Sequence, residues 1–129
     1  MKTFSLISNG TVHDIKLGVS FYEMGGNLGI RMIKLNGKIQ KEPWSTLTIN
    51  FLKEPMCEKD CSYIDVYKNG REILEWIAKN KLAMPTGRIS NAFGYPEYRF
   101  NPYILAKADP KGYAVYLLSR GYGIAQRQK

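Results

Sequence analysis

The sequence predicts an α+β fold: a strongly twisted antiparallel sheet of five to seven strands, with one main helix, about residues 70–80, packed on one face. Three observations predict it. Leu28, Ile30 and Met32 alternate with Gly29, Arg31 and Ile33, and Leu47, Ile49 and Phe51 alternate with Thr46, Thr48 and Asn50; period two over both runs marks half-buried strands. Between them lies Asn36-Gly37, the dipeptide favoured where both central residues of a hairpin turn need positive φ. Finally, Ile73, Trp76 and Ile77, with Leu74, form an apolar stripe at helical spacing.

Taken in order, residues 3–8 and 11–17 flank Asn9-Gly10 and predict a hairpin. His13 and Asp14 are adjacent in its second strand. Neighbouring strand residues face opposite ways, so the pair reads as surface rather than as a general-base dyad. Residues 19–24 read as a further strand, closed by Gly25-Gly26. This glycine-rich run has no lysine and leads into a strand, so it is a tight turn and not a phosphate loop. Residues 38–43 are polar and read as a connection. Trp44 opens the next strand, its ring either capping the core edge or standing exposed in a binding site.

Residues 53–62 read as a solvated loop broken at Pro55, and residues 63–67 as a short strand. Asn69 reads as a helix N-cap with Glu72 completing a capping box. Glu72 and Glu75 then fall on the polar side as solvated charges. Residues 85–94 read as a long irregular loop in which Arg88 is the only charge. Residues 95–100 are extended, with Tyr98 and Phe100 on one face and Glu97 and Arg99 on the other. Asp109-Pro110-Lys111-Gly112 is a turn signal. Residues 104–107 and 113–118 therefore read as a hairpin, with a short helix over 114–118 as the competing reading. The basic, glycine-spaced end after Ser119 reads as a strand-binding tail or as a frayed terminus. The chain is one domain, with an α+β core over 1–103 and a basic hairpin and tail over 104–129.

At 129 residues the chain is long enough to bury a core without staples. No apolar run approaches the ~20 residues of a membrane span. The N-terminus turns polar after Ile7, short of the about 7–15 apolar residues of a secretory segment, so a cytoplasmic protein is expected. Cys57 and Cys61 are separated by three residues; a loop disulfide is one reading, two free thiols in a reducing compartment the other. With His13 as the single histidine, zinc lacks its remaining ligands. No nucleophile–base–orienter set can be assembled. The expectation is a non-enzyme with no cofactor and no metal.

The net charge of +8 is unevenly placed: residues 1–75 hold ten basic and nine acidic side chains, residues 76–129 nine basic and two acidic. The second part also carries nine of the sixteen aromatic residues. Such a surface suits phosphate backbones and bases, or an acidic protein partner; it also describes a soluble lysine-rich face.

Gly26-Asn27-Leu28-Gly29-Ile30, Ser45-Thr46-Leu47-Thr48-Ile49-Asn50, Asn69-Gly70, Pro85-Thr86-Gly87-Arg88 and Tyr95-Pro96-Glu97-Tyr98-Arg99-Phe100 follow one another across residues 19–103. In this order they resemble an uncharacterised family of small proteins carried by bacterial mobile elements, phages and conjugative plasmids. The resemblance implies a compact sheet with one helix and no cofactor. The strong positive charge, the Cys57/Cys61 loop and the tail after Tyr103 depart from it. Small proteins of such elements often inhibit host defence, as anti-CRISPR proteins do. The resemblance therefore implies a non-enzymatic inhibitor that binds an effector protein or ribonucleoprotein, or occupies its nucleic-acid channel. The contacts expected are Arg88, Tyr95, Arg99, Tyr103, Lys107, Lys111, Arg120, Tyr122 and Arg127. The alternative is a direct nucleic-acid-binding module using the same residues, tyrosines on bases and cations on phosphates. Exposed strand edges would also support a homodimer.

Overall fold

The structure is a computed structural model and describes residues 2–36, 40–51, 53–54 and 58–121. It is α+β and antiparallel, but the strands divide into two sheets of four. The first has the order β1 (Phe4–Ser8), β2 (Thr11–Phe21), β3 (Leu28–Asn36), β4 (Gln40–Thr46). The second comprises β5 (Thr48–Ile49), β6 (Cys61–Ile64), β7 (Ala83–Ile89) and β8 (Pro96–Phe100), in the order β5-β6-β8-β7.

The single sheet of five to seven strands is thus corrected, and Leu47 is the reason. Its N–H donates to the Ile30 carbonyl of the first sheet (2.9 Å), and its own carbonyl accepts from Asp65 N–H, just past β6 (2.9 Å). One buried residue shares its backbone between the two sheets. Side chains replace the ladder across this seam: Thr48 Oγ1 accepts from Ile30 N–H (3.0 Å) and Ser62 Oγ donates to the Leu28 carbonyl (2.8 Å). Alternation counts strands but does not say which sheet each joins.

The β1–β2 hairpin turns through Asn9 (φ 51°) and Gly10 (φ 77°), as Asn-Gly demands. The strand expected at 19–24 is not separate, because β2 runs unbroken from Thr11 to Phe21. Gly18, which falls between the two expected strands, pairs with Arg31, whose guanidinium lies 3.1 Å from where a Cβ would stand. Glycine here accommodates a close approach. Ile15, Leu17 and Val19 of β2 face Leu28, Ile30 and Met32 of β3 in the core. The supposed connection at 38–43 contributes its described residues to β4, whose Lys41, Glu42 and Pro43 are exposed. An edge strand wet on both faces carries no period-two signature. Asn36 pairs with Gln40 across the hairpin, and Gly37 lies outside the described residues. Trp44 is the residue skipped where the β3–β4 register shifts. Its half-buried ring packs on the core edge and 4.7 Å from the His13 ring.

The expected helix over 70–80 is α2 (Ile73–Lys79), and a separate short helix, α1 (Val66–Asn69), precedes it. Asp65, not Asn69, is the cap that bonds: its side chain accepts from Lys68 N–H (3.0 Å). Asn69 closes α1, accepting from Ser45 Oγ (2.7 Å) and donating to the carbonyls of Thr46 and Asp65. Gly70 (φ 82°) then redirects the chain. The strand expected at 63–67 instead spans Cys61–Ile64: Cys61 and Ser62, expected in the solvated loop, are buried in β6, while Val66 and Tyr67 belong to α1. The stripe Ile73, Trp76 and Ile77 is buried as its spacing predicts. Trp76 Nε1 also donates to the Ser5 carbonyl (2.8 Å), and its ring meets Phe4 edge-on.

Two further corrections concern the second half. Residues 85–89 of the expected loop are strand: Pro85 and Gly87 are tolerated because β7 is an edge, with an irregular register between Pro85 and Ile89. The expected hairpin at 104–118 is a helix pair, α3 (Pro102–Ala108) and α4 (Pro110–Ser119). Asn101-Pro102 and Asp109-Pro110 each place a capping side chain before a proline in the first turn. Leu105, Ala108, Tyr113 and Tyr116 join the same core as the sheets, so this segment is not an appendage.

β1 pairs with β2 only as far as Ile15, which leaves the rest of that edge without a strand. The start of α4 closes it: Asp109 Oδ2 accepts from Val19 N–H (2.9 Å). At the other end of the core, buried Asp60 (φ 68°) accepts from Tyr113 Oη (2.9 Å) and donates its N–H to Tyr116 Oη (2.9 Å). Cys61 is a free, buried thiol pushed up to about 11 by burial, and Cys57 lies outside the described residues.

Candidate functional site

The basic second half does not form one surface. Arg88 and Arg99 project from β7 and β8, and both meet carboxylates. Arg88 Nη2 and Nε reach Glu97 Oε1 at 2.7 and 2.8 Å, and Thr86 Oγ1 donates to the same oxygen (2.5 Å). Glu97 is only 3% exposed, so this is a half-buried pair and not a free cation. Arg99 pairs with Glu58. Tyr95 stands beside them, packed against Phe51 (5.4 Å) and edge-on to Tyr67 (4.9 Å). Nearby, Met84, Ile89 and Phe93 are exposed. These residues make an aromatic, charge-balanced region of the second sheet.

Lys111 and Arg120 sit at opposite ends of α4. Lys111 is exposed, whereas Arg120 Nη1 donates to the Gly26 carbonyl (3.4 Å) and to Asn27 Oδ1 (3.5 Å), fastening the β2–β3 turn. Tyr122 and Arg127 lie outside the described residues.

Tyr103 and Lys107 are brought together, one turn apart on α3, and they have company. They line a shallow cleft of about 490 Å³ with Lys2, Lys79, Lys81 and Asn101, among others. The backbone explains this convergence. Helix α2 ends at Lys79 and Lys81 takes a left-handed turn (φ 54°), so Leu82 N–H returns to the Ile77 carbonyl (3.0 Å). The Leu82 carbonyl then accepts from Asn101 N–H (2.8 Å), holding the start of α3 beside the end of α2. Phe4, buried against Trp76, brings the chain's start to the same place, with Lys2 Nζ 5.5 Å from the Phe4 ring centre.

Among the described residues the cleft lining includes no carboxylate, and none of its four lysines makes an ion pair. Tyr103 is 79% exposed. Sequence reasoning missed Lys2, Lys79 and Lys81. The signal was Lys79-Asn80-Lys81 at a helix end, followed twenty residues later by the Asn101-Pro102 cap.

A second groove, about 600 Å³, runs between β1, Trp44 and α2, floored by Leu6, Ile73 and Trp76. Its rim carries both signs, Lys68 and Lys79 against Glu72 and Glu75. Among the described residues, no group of three or more His, Cys, Asp or Glu side chains is placed to hold a metal ion. None of the described helices is long and apolar enough to cross a membrane.

Fold and cleft together define a small α+β protein with a lysine-lined depression set between helix ends. Residues 16–119 match a domain of unknown function (DUF4313), and the chain belongs to that family. The match runs from β2 to the last residue of α4, so it includes Lys79, Lys81, Tyr103 and Lys107 and leaves out Lys2. No curated protein and no solved structure matches the chain.

Proposed function

We propose that the protein is a non-enzymatic, cytoplasmic nucleic-acid-binding module whose contact surface is the lysine cleft. The observation that carries this is the convergence of Lys2, Lys79, Lys81 and Lys107 with no carboxylate in the lining. Like charges so gathered repel one another, and a polyanion that displaces their counterions relieves the repulsion. The test is binding of labelled DNA and RNA across a salt series. Four neutralised phosphates on a single strand give a slope near −2.8 in log affinity against log salt, or about a 50-fold loss between about 50 and 200 mM. The triple change Lys79→Gln, Lys81→Gln, Lys107→Gln flattens that slope, while Arg99→Gln leaves it alone. No binding at low salt removes this reading.

A second reading has its own observation. Exposed Ile89 and Phe93 beside Tyr67 and Tyr95 suit a protein interface with an aromatic centre. This supports a protein-binding surface, the one that an inhibitor of the anti-CRISPR type, carried by a mobile element, would use to grip a host defence effector. Purified effectors that neither bind the protein nor lose activity with it would remove that reading. If an effector is bound, Phe93→Ala weakens the complex and the lysine changes do not.

A further inference from the structure

We infer that the strand taken by the cleft is single, with Tyr103 as a stacking platform for one base. This rests on the cleft reading above and narrows it. Tyr103 stands in the first turn of α3, where Asn101 Oδ1 accepts its N–H (2.9 Å) and Pro102 fixes the preceding backbone. Its backbone is therefore pre-set while its ring is 79% exposed. Among the described residues it has no ring partner, unlike Tyr67, which is held by the Phe93 carbonyl and by Tyr95. An aromatic face left open among four lysines suits a ligand that brings both a π-face and phosphates.

A duplex hides its base faces in the stack, and only an unpaired strand or a splayed end presents one. Duplex reading also needs an element that lies in a groove. Here the end of α2 and the seven-residue α3 meet at the cleft, with Lys79 and Asn80 at one margin and Asn101 at the other. Lys107 lies about one helical turn beyond Tyr103, about 6 Å along the axis. A base on Tyr103 thus sets a neighbouring phosphate against Lys107, with Lys79 and Lys81 across the cleft for the continuing backbone.

The experiment is fluorescence anisotropy with labelled oligo-dT of about 15 nucleotides and a duplex of equal length, using the full chain. Four proteins are compared: wild type, Tyr103→Ala, Tyr103→Phe, and the triple Lys79→Gln, Lys81→Gln, Lys107→Gln. Tyr103→Ala is expected to weaken oligo-dT binding roughly 5- to 150-fold, the range for losing one base–aromatic stack. Its salt slope and its duplex affinity stay as in wild type, and Tyr103→Phe restores single-strand affinity. Thermal melts check that Tyr103→Ala folds as wild type does, as its exposure predicts. Equal losses on single strand and duplex, or an oligo-dT affinity within about twofold of wild type, overturn the stacking assignment. If the triple lysine variant loses binding in that case, the cleft reading survives alone. If the triple variant binds like wild type, the cleft reading itself falls, and this inference with it.

Discussion

Replacing Gly112 with alanine sets two effects of opposite sign against each other. Gly112 is the third residue of α4, and in a helix alanine is favoured over glycine by about 1 kcal/mol. Propensity alone therefore predicts stabilisation. The geometry predicts the reverse, because a Cβ on Gly112 would fall far inside contact distance of the Val19 carbonyl oxygen and the Asp109 carboxylate. Val19 O is backbone of β2 and cannot swing aside, so α4 must lift from the sheet edge. Lifting breaks the Val19 N–H bond to Asp109 Oδ2, a charge-assisted bond costing about 1.5–3 kcal/mol. It also loosens the packing of Tyr113 and Tyr116, for roughly another 1–2 kcal/mol. After subtracting the helix gain, the net loss is about 1.5–4 kcal/mol. Unfolding entropy of about 2.1 cal/mol/K per residue converts this to a fall of about 6–15 °C in Tm for a chain of 129 residues. Circular dichroism melts measure it. Ala114→Gly, exposed two residues along the same helix, is the comparison and should lose only about 4 °C, through propensity alone. A Gly112→Ala variant that melts at or above wild type would refute the claim that the approach of α4 to β2 dictates this glycine.

Asp60 predicts a pH dependence. Burial raises its carboxyl, so the folded state keeps the proton to higher pH than the unfolded state does; the stability this confers is full at low pH and is lost as pH rises through the folded value. Asp60→Asn keeps an acceptor for Tyr113 Oη and removes the titration, so urea midpoints should shift in its favour between about pH 3 and pH 7; a constant difference counts against this. Trp76→Phe keeps a ring against Phe4 but loses the donor to Ser5, and should cost about 1–2 kcal/mol and speed amide exchange in β1. Arg88→Ala strips the partner from nearly buried Glu97. Because Arg88 is itself 54% exposed, the cost is screened to about 1–2 kcal/mol, and adding Glu97→Gln should recover most of it. The same variant should leave the nucleic-acid salt slope unchanged.

The fold class was legible because burial imposes periodicity: β3 and the stripe of α2 alternate as their buried faces require. What misled was local grammar with two meanings. Asp-Pro-Lys-Gly opens a reverse turn or a helix, and only the apolar positions beyond it decide. Leu105, Ala108, Tyr113 and Tyr116 are all buried against sheet edges that the local sequence does not announce. Asn69-Gly70 similarly starts or ends a helix. It ends one here because Ser45 and Thr46, more than twenty residues away, occupy the Asn69 side chain. The seam at Leu47 is of the same kind, since its two backbone bonds go to partners 17 and 18 residues off in opposite directions.

Charge tells the sharper version. Counting along the chain assigns the excess to residues 76–129, and two of its strongest candidates there, Arg88 and Arg99, are offset by Glu97 and by Glu58 from the other half. The uncompensated site instead draws Lys2 from the start of the chain, where net charge is nearly zero. Its position depends on Phe4 against Trp76, a contact between residues 72 apart. A binding surface therefore follows from which cations the fold leaves unpaired, rather than from where cations are dense in the sequence. This gives Trp76→Phe a second consequence. If loosening β1 displaces Lys2, the variant should lower the single-strand salt slope by about 0.7, one phosphate's worth, without touching the cleft's other three lysines. An unchanged slope together with faster exchange in β1 would show that Lys2 lines the cleft without contributing to binding.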